Sequence, residues 1–237
     1  MPEKPNKPET PAYKSGKPLA IPIQILLALT CIGSVLIIFF DLGGVIATLP
    51  SNTQKPDSSS ILEGAQLLID TVEGIGAIAF LSCAVFFLVW IRRLRRNLQY
   101  FGINDLITKN WHCTWGFAIP ILCLFKPYRA IQEIWRASSL TSLSERWQSH
   151  SGTALISWWW GFWLIMNATA RISDKIKTVD AQGHIDIPAY TAYFTASAIN
   201  EVLTFVAAVL AFIVVTKLTN KQEMMYKTLP AQNEVPE

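Results

Sequence analysis

The sequence predicts an all-α protein: a four-span transmembrane helical bundle with a cytoplasmic-side re-entrant or interfacial segment and an amphipathic helix. Three observations carry that prediction. Of the 237 residues, 51% are hydrophobic and only 16% are charged, against about 25% charged in a soluble domain. The shortage is local, since 23 consecutive residues between Lys17 and Asp41 carry no charge. About 20 apolar residues, each rising ~1.5 Å, cross a bilayer core. Finally, the basic residues flank the apolar runs and form no separate soluble face.

Residues 1–18 hold five prolines and four lysines, too little apolar surface to offset ordering, so a disordered tail is expected. The membrane domain then extends over 19–217. Its first span covers about 19–40, with Pro22 in the first turn, where a missing N–H costs nothing. The run exceeds the ~7–15 apolar residues of a signal-peptide core, so it reads as a retained span. Gly43, Gly44 and Pro50 mark its exit, and residues 50–60 form a polar loop. The second span, about 62–91, starts with Ser60 three residues before Glu63, a capping-box pattern, is free of charge from Gly74 to Ile91, and its helix continues into the arginine cluster.

An interfacial region, 92–150, follows. It opens on Arg92, Arg93, Arg95 and Arg96. Residues 111–125 are apolar but would reach only about 22 Å as a helix, short of a core of roughly 30 Å. Pro120 interrupts them, so they read as re-entrant or interfacial. From Pro127 to Ser138, Tyr128, Ile131, Ile134 and Trp135 share one helix face, and Arg129, Gln132, Glu133 and Arg136 the other. Flanked by membrane runs, such a helix is expected to lie on the membrane surface, with Arg129–Glu133 and Glu133–Arg136 spaced as ion pairs. The third span, about 152–170, opens with Trp158, Trp159 and Trp160 and closes at Arg171. The fourth runs over about 189–216, and 218–237 form a polar C-terminal tail.

Charge sets the orientation. With four spans and the N-terminus inside, the inner segments hold 16 Lys and Arg and the outer loops 4; a fifth span at 111–125 would make the split 12 to 8. Positive charge favours the cytoplasmic side. The expectation is therefore a bacterial cytoplasmic membrane protein with both termini cytoplasmic. Expected contacts are the bilayer, including its anionic inner leaflet, and a membrane-protein partner or a second copy, but no nucleic acid. The expected interface anchors are Trp90, Arg92, Arg93, Arg95, Arg96, Trp111, Trp115, Trp135, Arg136, Trp158, Trp159 and Trp160, because indole and guanidinium groups suit the water–lipid boundary.

Several of these features fall in a recurring order. Trp90, Arg93, Arg96, Asn97 and Leu98 leave a span; Trp111 and Trp115 precede Pro120; Pro127 and Tyr128 lead into Glu133-Ile134-Trp135-Arg136-Ala137-Ser138; Trp158 to Trp160 open the next span. Over roughly residues 65–218 the chain resembles a bacterial membrane-protein family known as domain of unknown function 4328. The family carries no established activity, so the resemblance implies a fold and a location only.

Glu63, Gln66, Asp70 and Glu73 line one helix face by their spacing, and Glu201 lies a comparable distance into the fourth span. One reading is an outward-facing polar pocket of Asp70, Glu73 and Glu201, with Arg171 as counter-charge, that binds a cation or proton. The other places Asp70 and Glu73 at the outer boundary and gives Glu201 a structural hydrogen bond to Arg171 or a neighbouring helix. His112, His150 and His184 lack ligand spacing, the four cysteines form no C-x-x-C pair, and no phosphate-binding glycine loop occurs. No metal, cofactor or enzymatic activity is therefore expected. The expected function is that of a non-enzymatic multi-pass component interacting with lipid or membrane proteins, the alternative a small cation- or proton-conducting channel or transporter.

Overall fold

The computed structural model describes residues 12–47, 58–107, 125–140, 142, 146–173, 175–176 and 187–229. On the second helix its side chains are described from 71 onward, Glu73 apart. Every regular element among these residues is helical: α1 (Lys17–Ala47), α2 (Ser58–Tyr100), α3 (Lys126–Ala137), a 3-10 turn (Trp147–Ser149), α4 (Ala154–Ser173) and α5 (Ile187–Thr228). Three helices, α1, α2 and α5, are long and apolar enough to cross a membrane. α4 has 20 residues, about 30 Å of helix. Its composition includes four tryptophans, Asn167 and Arg171.

The chain divides into two compact units. One comprises Met1–Ile21, Phe86–Ile156 and Val214–Glu237; the other comprises Pro22–Val85 and Ser157–Ile213. The four passages between them all fall inside helices: in α1, α2, α4 and α5. Charge sorts with this division. The first unit holds sixteen Lys and Arg against eight Asp and Glu, and is called the basic unit below; the second holds four against nine and is called the apolar unit.

The apolar unit turns hydrophobic side chains outward. Phe39, Ile78 and Leu81 are 71%, 68% and 64% exposed, and Ile25, Leu29, Ile32, Ile165 and Val202 are exposed with them. Small residues lie inside, with Ala207, Ala208 and Ala211 buried on α5, as suits helices that pack closely where lipid replaces water. At Gly44 a Cβ would lie 2.7 Å from the Phe194 ring, so α1 needs glycine there.

The basic unit has the opposite polarity. Trp90, Ile91, Leu94, Leu98, Ile131, Ile134, Val214, Val215 and Leu218 are all fully buried. Here apolar side chains form a buried core, the usual arrangement of a packed domain. α2 ends in a Schellman motif: Ile103 N–H donates to the Leu98 carbonyl and Gly102 N–H to the Gln99 carbonyl, both at 3.0 Å. Gly102 takes φ 79°, a conformation that favours glycine. Thr153 caps α4, its Oγ1 accepting from Leu155 N–H at 3.2 Å.

Several boundaries differ from the sequence reading. α1 does not stop near residue 40 but carries Asp41, Gly43 and Gly44 on to Ala47. The helix of α2, expected to continue into the arginine cluster, does so and extends to Tyr100. α5 passes residue 216 and reaches Thr228, with Leu218, Thr219, Gln222 and Met225 buried at three- and four-residue spacing. The polar tail expected from 218 therefore begins as packed helix; its polar residues find buried partners. Tyr13, Lys14 and Ser15, expected in the disordered tail, are likewise held by hydrogen bonds. The amphipathic helix does not offer an apolar face to lipid. In α3, Pro127, Ala130, Ile131, Gln132, Glu133, Ile134 and Ala137 are all buried, so both faces pack within the basic unit. The segment 111–125, apart from Phe125, lies outside the described residues. α2 already includes Ser58, so Ser60 stands within the helix and not at its cap as expected; the Ser60 and Glu63 side chains are outside those described.

Candidate functional site: a polar clamp in the basic unit

Long polar residues on helices of the basic unit meet around the N-terminal segment. Asn97, on the stretch of α2 beyond the arginines, is 2% exposed. Its Oδ1 accepts from Lys14 N–H at 3.2 Å, and its Nδ2 donates to the Lys14 carbonyl at 2.9 Å. One side-chain amide thus satisfies both backbone groups of one residue. Nδ2 also donates to Gln222 Oε1 at 3.1 Å. Gln222, 1% exposed, in turn donates to the Leu94 carbonyl at 2.8 Å and to Ser138 Oγ at 3.2 Å. Two amides therefore join α2, α5, the end of α3 and the N-terminal segment. In a buried setting such a network is stabilising only when its members are satisfied.

Around Lys14 the contacts alternate. Tyr13 donates from its hydroxyl to Glu223 Oε1 at 3.1 Å, and Ser15 Oγ donates to the same oxygen at 2.6 Å. The Tyr13 ring stacks on Tyr226 with centroids 4.0 Å apart and planes 6° from parallel. Tyr100 and Phe101 close the box at 6.0 and 6.2 Å. Burial, and then the neighbouring Glu223 carboxylate, push the Tyr13 phenol far above its ordinary range. Lys14 itself is exposed. Arg93 Nη1 donates to the Ser15 carbonyl at 3.3 Å. Gly16 is buried, and a Cβ there would lie 3.0 Å from Leu94 Cδ2. Elsewhere in this unit, Asp105 accepts from Trp147 Nε1 at 2.7 Å and from Gln148 at 2.6 Å. The Trp147 bond, first, holds its carboxyl below the usual carboxylate range.

The expected interface anchors take several different positions. Trp90 is fully buried, packs 5.3 Å from Phe87, and donates through Nε1 to Thr219 Oγ1 at 3.1 Å. It is a core residue rather than an outward anchor, and Arg95, 8% exposed, is buried as well. Arg92 and Arg96 are exposed. Trp135 is half-buried beneath the Lys221 ammonium, 4.6 Å from the ring centroid, and Lys221 also donates to Ser139 Oγ at 2.6 Å. Arg136 is half-buried, its Nε without a hydrogen-bond partner among the described residues. In the apolar unit, Trp159 and Trp160 are buried while Trp158 is 65% exposed. Trp111 and Trp115 lie outside the described residues.

Of the expected polar pocket, Asp70 and Glu73 lie on α2 with side chains outside those described. Glu201 on α5 is partly buried and hydrogen-bonds to Ser34 of α1, itself 3% exposed. Thr169 of α4 donates to Asn200 Oδ1 at 2.8 Å. Arg171 is exposed. Asp41, which sequence reasoning left out as the end of a span, is 3% exposed within α1. It stands seven residues from Ser34, so the two share a helix face.

The profile of a family described as Domain of unknown function (DUF4328) matches residues 54–220. The chain belongs to this family. The match covers α2, α3, α4 and most of α5, and with them Asn97 and Thr219. Within this DUF4328 chain, Tyr13, Ser15, Gln222, Glu223 and Tyr226 fall beyond the matched residues. No curated protein and no solved structure matches the chain.

Proposed function

We propose that this DUF4328 protein crosses a bacterial cytoplasmic membrane four times, with both termini and the basic unit inside. On this reading it acts without catalysis, binding lipid headgroups and other membrane proteins through the basic unit. The observation that carries the reading is the coincidence of two divisions. Four helices each lead from one unit into the other, and sixteen of the 20 Lys and Arg fall in one unit. Four passages return the C-terminus to the side of the N-terminus only if α4 crosses too. Tryptophan is an interface residue, so the four tryptophans of α4 suit a span although its most apolar stretch falls short of those of α1, α2 and α5.

The test is cysteine labelling of intact cells with an impermeant maleimide, in a background lacking the four native cysteines. Lys175→Cys, at an exposed site after α4, is expected to label. Arg146→Cys, exposed before α4, is expected to label only after permeabilisation. Protection of both would mean that α4 does not cross, and the reverse pattern would invert the protein.

One observation favours a second reading, a small proton- or cation-conducting protein. Counted along each helix from the unit boundary, Ser34, Glu73, Thr169 and Glu201 all lie about 18–20 Å in. An ionisable group at such depth costs about 2.5–3.5 kcal/mol on insertion scales and often marks an ion route. In proteoliposomes this reading expects proton or cation flux above that of empty vesicles, lost in Glu201→Gln. Flux no greater than in empty vesicles, or unaltered in the variant, would remove it.

A further inference from the structure

We propose that the end of α2 and the end of α5 form a peptide-binding groove, occupied here by residues 13–16 of the same chain. The ligand it would take in exchange is an extended segment of a partner protein with the pattern Tyr-x-Ser-Gly. The proposal deepens, and rests on, the protein-binding half of the function above.

The contacts are those of a site that reads a peptide. At the middle position only the backbone is held, by the paired bonds of Asn97 to the N–H and carbonyl of Lys14. The Lys14 side chain is exposed, so any residue is accepted at x. The flanking side chains are read chemically. The Tyr226, Tyr100 and Phe101 rings box the first. A single carboxylate oxygen of Glu223 collects both hydroxyls. At the fourth position a Cβ would lie 3.0 Å from Leu94 Cδ2, so glycine fits without movement and a larger residue requires that leucine to shift by a few tenths of an ångström. Main-chain bonds that give affinity, with pockets for alternate side chains that give specificity, are the usual mode for extended peptides. Half of this groove, Glu223 and Tyr226, lies past the end of the family match, as do residues 13–16 before its start. The groove thus combines matched residues of α2, Leu94, Asn97 and Tyr100 among them, with α5 residues and a resident segment that lie outside the matched range.

Exchange meets a tethered competitor. A segment linked to its own site acts at an effective concentration of roughly millimolar, so a free peptide must approach that range. The sequence supplies a clean readout. Lys4, Lys7 and Lys17 are each followed by proline, which trypsin does not cut, leaving Lys14–Ser15 as the cleavable bond among residues 1–18. The purified full chain in detergent is treated with trypsin, with and without the peptide Ala-Tyr-Gln-Ser-Gly-Gln at several millimolar. The expected result is slow cleavage after Lys14, made at least about fivefold faster by the peptide at such concentrations and unchanged by Ala-Ala-Gln-Ala-Gly-Gln. Asn97→Asp keeps the acceptor for Lys14 N–H but loses the donor to its carbonyl, and is expected to cut faster without peptide. Rapid cleavage of the unmodified chain, no response to peptide, or equal response to the control peptide would each overturn the proposal. The measurement is made in micelles, so its failure leaves the labelling result above intact, and a wrong topology leaves the groove intact.

Discussion

Trp90→Ala is expected to lower the stability of the purified protein by about 3–5 kcal/mol, the range for truncating a large buried aromatic. The indole is fully buried and its N–H donates to Thr219 Oγ1 at 3.1 Å. Alanine would remove the ring, leave a cavity in the buried core of the basic unit, and deprive Thr219 of its donor. Trp90→Phe separates the two losses. It keeps most of the ring and forfeits the hydrogen bond, so it is expected to cost about 1–3 kcal/mol. Unfolding in detergent, followed by far-UV circular dichroism, measures both. A tryptophan that merely faced lipid headgroups would show little change in either variant, and that result would contradict a buried Trp90.

This residue also marks the limit of what sequence could say. The apolar runs, their order and the sorting of positive charge were legible, because crossing lipid demands long uncharged segments and flanking basic residues. Family membership was legible from Trp90, Arg93, Asn97 and the Glu133–Ser138 helix together. What sequence could not show was a second core. Trp90 stands beside four arginines, a context in which an indole at a lipid boundary and an indole inside a packed unit look the same. The same ambiguity hid the burial of α3, whose Gln132 and Glu133 look like a solvated face until Thr153 is seen bound to Gln132 through both a backbone donor and a backbone acceptor. Gly102 was a readable helix stop, followed by Ile103 and Asn104. It would have fixed where α2, already expected to enter the arginine cluster, comes to an end. The partners of Glu201 and Asn97 had no local signal, since Ser34 and Lys14 are distant in sequence.

Gln222→Leu is the second large effect expected. It preserves side-chain bulk and helix propensity at a position that is 1% exposed, so packing alone predicts little change. The hydrogen bonds predict otherwise. Leucine offers no acceptor to Asn97 Nδ2 and no donor to the Leu94 carbonyl or Ser138 Oγ, all now bonded to Gln222. A buried polar group stripped of its partner costs about 1–3 kcal/mol. Asn97 Nδ2 retains the Lys14 carbonyl, and Leu94 can keep its helical bond, so the total should stay near about 3 kcal/mol rather than three full penalties. Combining Gln222→Leu with Asn97→Leu discriminates network from packing. If the two amides act as a unit, the double variant loses less than the sum of the single ones, because the second change removes groups that the first has already orphaned. Additive losses would mean that each amide acts alone and that the clamp is two separate hydrogen-bonded sites rather than one.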